Sequence, residues 1–125
     1  MSDIRQWRGA AEQLRLLGHP VRLALLEELS KAPKCVTDIQ DLLEVRQANV
    51  SRHLAVLRHA GIVDYHEDGN VRCYYILRPR LVRDLLRFVG GDYPTEYKSA
   101  VQIRRAAAKR EGQTACRVEK QGSNE

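Results

Sequence analysis

Apolar residues recur at helical spacing along most of the chain and alternate in only one short stretch. Ile4, Trp7, Ala11, Leu14 and Leu17 fall three or four apart, which predicts a helix over Ile4–Leu17. Gly18-His19 ends it, and Pro20 suits the first turn of a second helix running to about Lys31. The inward positions of that helix are Val21, Ala24 or Leu25, and Leu29. Ala32-Pro33-Lys34 breaks the pattern, and Cys35-Val36 is extended at most. Thr37 then caps a short helix to Leu43, with Ile39, Leu42 and Leu43 pointing inward. A tight turn at Glu44–Arg46 leads to a fourth helix from about Gln47 to Ala60, which Gly61 ends.

Two extended runs follow, Ile62–His66 and Val71–Leu77, joined by Glu67-Asp68-Gly69-Asn70, whose Asp-Gly pair is a hairpin signal. Pro79 starts another helix to Val89, and Gly90-Gly91 and Pro94 interrupt it. Thr95 is the expected cap of a last helix to about Arg110. Residues 112–125 are polar and aperiodic, which predicts a disordered tail after a single domain spanning residues 1–111. The resulting fold class is mainly α with a small β-hairpin: a helix-turn-helix carrying a wing.

The fourth helix shows what such a domain would do. At about 100° per residue, Val50, Leu54 and Leu57 share one face. Ala48, Arg52, Ala55 and His59 fall opposite, with Asn49 beside them. Small residues around a long donor suit the major groove, where Arg pairs with guanine and Asn with adenine. The net charge of +5 favours a polyanionic partner. No run approaches the roughly 18 apolar residues that span a bilayer, and no secretory signal opens the chain, so no membrane association is expected. Three widely spaced cysteines exclude a disulfide framework and fit a reducing cytoplasm. The motifs of phosphate loops, zinc hydrolases and dithiol redox enzymes are missing, and no nucleophile–base pair stands out. A non-enzymatic DNA binder is therefore expected. The competing readings are a protein-interaction module and a regulator answering a non-metal small molecule.

Three motifs in order resemble the ArsR family of winged-helix repressors: Leu16-Leu17-Gly18-His19-Pro20-Val21-Arg22-Leu23, the segment Gln47–Val63, and the segment Asp68–Leu77 with its Tyr74-Tyr75 pair. The resemblance covers about residues 10–90. It implies a prokaryotic, cytoplasmic, homodimeric repressor that binds double-stranded operator DNA and is released by a small signal. Departures are local. The turn before the recognition helix reads Glu44-Val45-Arg46-Gln47, where the family usually has Gly and a Ser cap. Cys35-Val36-Thr37-Asp38 lacks the second thiol of the metalloid-sensing run. No histidine follows His66, so the zinc site of the C-terminal helix is not present in its usual form.

The candidate DNA contacts are Gln47, Asn49, Ser51 and Arg52, with His53, with Arg46 as a phosphate contact, and with Arg72 of the wing as a minor-groove or phosphate contact. His53 lies near the core edge, where a packed histidine competes with that role. The candidate dimer contacts are Trp7, Leu14, Leu81, Leu85, Leu86 and Val89, apolar positions beyond what a three-helix core covers. Cys35, Cys73 and Cys116 are the candidate signal-sensing thiols, because soft thiolates favour As(III), Sb(III) or oxidants over hard cations. The competing reading is that they are small apolar residues. In winged helices the segment before the third helix often pairs beside the second wing strand, so Cys35 and Cys73 are expected to be neighbours.

Overall fold

The computed structural model describes residues 3–113. They fall into two units, one ending at Gly91 and one starting at Asp92. In the first unit a 3₁₀ turn, Ile4–Trp7, is capped by Asp3, whose carboxylate accepts from the Arg5 amide at 3.0 Å. It leads into α1, Arg8–Leu17, and α2, Pro20–Lys31. His19 caps α2 with its ring: Nδ1 accepts from the Val21 amide at 3.1 Å. A two-residue strand β1, Lys34–Cys35, then passes directly into α3, Val36–Leu43. Thr37 therefore lies inside α3 and does not cap it; Cys35 holds the cap position without a side-chain bond.

The turn to α4, Gln47–His59, passes through Glu44 at φ 55°. It is the one non-glycine residue with positive φ among those described. A left-handed conformation costs a residue bearing Cβ about 1–2 kcal/mol. The turn keeps its path here although no glycine supplies it. After α4, Gly61 turns the chain at φ 76°, and the wing follows as β2, Val63–Asp68, and β3, Val71–Ile76. Asp68 pairs with Val71, so the turn is the two residues Gly69-Asn70, with Gly69 at φ 68°. The sheet is antiparallel in the order β1-β3-β2. The last helix of this unit is α5, Pro79–Gly90.

The core is built by Leu25, Leu26 and Leu29 of α2, Ile39 of α3, and Val50, Leu54 and Leu57 of α4, closed by Ile62, Val63, Tyr74 and Val82. The inward stripe expected of α4 is thus the buried one. Two inward assignments change. Leu42 is exposed, because the short α3 turns Val36, Ile39 and Leu43 towards the core and Leu42 away from it. Leu26 is buried beside Leu25, because α2 is covered on two sides, by α4 and by α5 with the sheet.

The candidate dimer residues divide. Trp7 at the end of the 3₁₀ turn, Leu14 on α1 and Val89 on α5 are exposed. Leu81, Leu85 and Leu86 instead pack, half-buried, on the core of their own chain. The second unit contains α6, Ala100–Gln113. Its cap is Ser99, not Thr95: Ser99 Oγ accepts from the Gln102 amide at 3.2 Å, and Gln102 Oε1 accepts from the Ser99 amide at 2.8 Å. Two orphan donors are satisfied by this reciprocal pair. Gly112 and Gln113, the start of the expected tail, belong to α6. Residues 114–125, Cys116 among them, lie outside the described residues. Among the described residues no helix is long and apolar enough to cross a membrane.

Candidate nucleic-acid interface

Gln47, Ser51, Ala55 and Arg58 follow one another at steps of four, four and three residues, so they share one side of α4. With His59 they form one wall of a cleft of about 470 Å³. The wing supplies the opposite wall through Tyr65, Asn70, Arg72 and Tyr74, and Val36 and Thr37 of α3 close one end. Tyr65 organises the cations here. The Arg58 guanidinium lies 4.5 Å from its ring centroid and that of Arg72 lies 4.3 Å away. Arg58 Nε also donates to Asp64 Oδ1 at 2.9 Å, and Arg72 pairs with Glu67 at 3.5 Å. The Arg58 bond, with a second from the Tyr65 amide, holds the Asp64 carboxyl below its usual pKa. Exposed ion pairs of this kind contribute little to stability, so neither guanidinium is strongly held by its carboxylate.

Next to the cleft, Arg52 stands exposed between Ala48 and Ala55. Its Nη2 donates to Asn49 Oδ1. Asn49 is half-buried, and its amide oxygen accepts that bond from Arg52. Arg46 is the exposed cap residue of α4 and makes no side-chain cap bond, which leaves its guanidinium at the positive end of the helix.

His53 does not belong to this surface. It is 9% exposed, and its Nδ1 accepts from Arg22 Nε at 3.1 Å. Arg22 Nη1 also donates to the Leu16 carbonyl at 2.7 Å, which ties α1, α2 and α4 together. The His19 ring lies 4.3 Å from that of His53. Burial first, then the charges of His19, Arg22 and Arg52, hold the His53 pKa below 6.5. The folded chain thus binds this proton less readily than the unfolded one. His53 contributes its stability in full above about pH 6.5, and the contribution is lost as pH falls through the lower folded value. Urea midpoints should therefore drop between about pH 7.5 and pH 5.5. In His53→Gln, which keeps an acceptor for Arg22, the drop should shrink. An equal drop in both proteins would place the titration elsewhere.

Gln47, Ser51 and Arg72 thus meet in one cleft, with Arg52 and Asn49 on the adjoining face. The residues that sequence reasoning missed are Arg58, Thr37 and Tyr65. Arg58 had a signal, its spacing from Ser51 and Ala55, on the flank of the stripe rather than opposite the core. The role of Tyr65 depends on strand pairing and had none. In the sheet, Cys35 and Cys73 are direct partners across β1 and β3, and both are free thiols. Among the described residues no group of three or more His, Cys, Asp or Glu side chains could hold a metal ion.

Residues 19–65 match the family of bacterial regulatory proteins designated arsR. An uncharacterized HTH-type transcriptional regulator of Methanocaldococcus jannaschii is 34% identical over 87 residues, 69% of this chain and 97% of that protein. The chain belongs to the ArsR family. The HTH-type transcriptional repressor SmtB of Mycobacterium tuberculosis is 36% identical over 86 residues, 66% of this chain; the match spans 64% of that protein's length. The crystal structure of the transcriptional repressor BigR from Xylella fastidiosa superposes with a TM-score of 0.61 at 25% identity, covering 72% of this chain and 94% of that one. The segment matched to the ArsR family holds α2, α3 and α4 and stops within β2. Arg72 and Cys73 on β3 therefore lie beyond it.

Proposed function

We propose that this ArsR-family chain is a transcriptional repressor that binds double-stranded operator DNA as a homodimer. The observation that carries the reading is the exposed side of α4. Small residues surround an aimed Arg52, and a cleft lined by Arg58 and Arg72 runs alongside. Base edges in the major groove need the first feature, and the neighbouring phosphates need the second. The names of SmtB and BigR, both repressors, support the sign of the regulation. The exposed Trp7, Leu14 and Val89 support a two-fold partner. A dimer would set its two recognition helices about 34 Å apart, one turn of DNA.

The test is a mobility-shift titration on DNA from upstream of the chain's own gene, at about 50 and 200 mM salt, alongside sedimentation. With about 6–10 phosphates contacted per dimer, affinity falls about 10³–10⁵-fold over that range. Sedimentation should give a dimer at micromolar concentration. A monomer, or binding indifferent to salt, would overturn the proposal.

A further inference from the structure

We propose that Cys35 and Cys73 close a reversible disulfide within one chain when a peroxide oxidises them, and that the bond lowers affinity for DNA. The second half rests on the function proposed above; the first half does not.

The geometry begins with register. Cys35 on β1 and Cys73 on β3 are direct partners in an antiparallel pair. Opposed residues in such a pair share a face with Cα atoms about 4.5–5.5 Å apart. A disulfide requires about 4.4–6.8 Å, so the backbone already stands within range. A slip of one residue would send the two thiols to opposite faces. The core prevents that slip: the face of the hairpin bearing Val63 and Tyr74 is buried. Cys73 therefore points to the outer face, as do its neighbour Tyr75 but one and its β2 partner His66, whose rings stack at 5.5 Å. Both thiols are half-buried and neither is bonded to another group, so a small oxidant can reach them.

The reaction is balanced with peroxide as oxidant. One thiol gives up its proton, and the thiolate attacks one peroxide oxygen and breaks the O–O bond; the product is a sulfenic acid, and the departing hydroxide takes up that proton to leave as one water. The second thiol displaces the hydroxyl as a second water and forms the S–S bond. The two sulfurs lose two electrons and the two thiols lose two hydrogens.

The consequence follows from where the sulfurs sit. Opposed Cβ atoms in a sheet are about 4.5–5.5 Å apart, but those of a disulfide are about 3.5–4.5 Å apart. Closure therefore draws β1 towards β3 by about 1 Å. Cys35 is the cap residue of α3, and the next two residues, Val36 and Thr37, line the cleft opposite Asn70 and Arg72. β1 has only two residues and is the shortest strand of the sheet, so it yields first. The bond changes the spacing between the helix-turn-helix and the wing, which is the spacing a DNA backbone would have to fit.

The experiment uses the full chain with Cys116→Ser, so that two thiols remain. Hydrogen peroxide is added to reduced protein, followed by thiol titration, non-reducing electrophoresis and peptide mapping. Expected are the loss of two thiols per chain, no cross-linked dimer, a linked Cys35–Cys73 peptide, and full reversal by dithiothreitol. DNA affinity should fall at least tenfold on oxidation and return on reduction. Cys73→Ser and Cys73→Ala should both keep their DNA affinity after the same treatment. Separate oxidation of the two sulfurs, cross-linking between chains, or a disulfide without effect on DNA binding would each overturn the proposal. A linked peptide in a protein that binds no DNA when reduced would sink the functional reading and the second half, leaving the first half standing.

Discussion

Leu54→Ala lowers the stability of the chain by about 2–5 kcal/mol, the range for emptying a fully buried leucine site. Leu54 is 0% exposed at the middle of α4, among Leu25, Leu26, Ile39 and Leu57 from three helices. The loss has two parts, the transfer of the removed methyl groups and the cavity that rigid neighbours leave open. A domain of this size is stable by about 5–15 kcal/mol in total, so the change removes a large share. Urea denaturation at fixed protein concentration measures it. Leu42→Ala is the informative control. Both leucines sit at helical spacing in the sequence, but Leu42 is 56% exposed and its loss should stay within about 0.5 kcal/mol. Equal losses for the two would show that α3 packs by a different face.

Arg52→Ala weakens operator binding by about 1–3 kcal/mol, or about 5- to 150-fold, and relaxes preference at one base position of each half-site. Arg52 is the long donor on a face otherwise made of small residues, and its bond to Asn49 already limits its rotamers in the free chain. Less ordering entropy is then lost when it meets a guanine edge. Arg72→Ala should act differently. Its guanidinium sits on the wing over Tyr65 and beside Glu67, facing the cleft rather than the outer side of α4. It should weaken all DNA sequences alike and reduce the salt slope by about one, as a phosphate contact does. Titrations of both variants on operator and scrambled DNA at several salt concentrations separate the two roles. Loss of sequence preference in Arg72→Ala with Arg52→Ala neutral would reverse the assignment of base-reading and backbone-gripping elements.

Much of the fold was legible because its signals are local. The stripe Val50, Leu54 and Leu57 needs only the helical period, and all three are buried. Pro20 after Gly18-His19 starts α2, and Gly69 and Gly61 turn the chain where positive φ is required. Even a missed feature can be local. Ser99-Ala100-Val101-Gln102 is a capping-box pattern, four residues beyond Thr95.

What the sequence determined by itself, then, is which segments are helices and strands, and which side of α4 is apolar. These follow from periodicity and from the backbone limits of Gly and Pro, which act within a few residues. What only the tertiary structure decided is who meets whom across the chain. Leu26 is buried and Leu42 is not, because α2 is covered by α4 and by α5 with the sheet, whereas Leu42 falls on the exposed side of α3. His53 belongs to Arg22, thirty-one residues away, and not to the outer surface. Arg58 faces the wing only because β2 returns Asp64 and Tyr65 beside it. Such contacts depend on the packing of whole elements, and helical period carries no information about the element that will lie opposite.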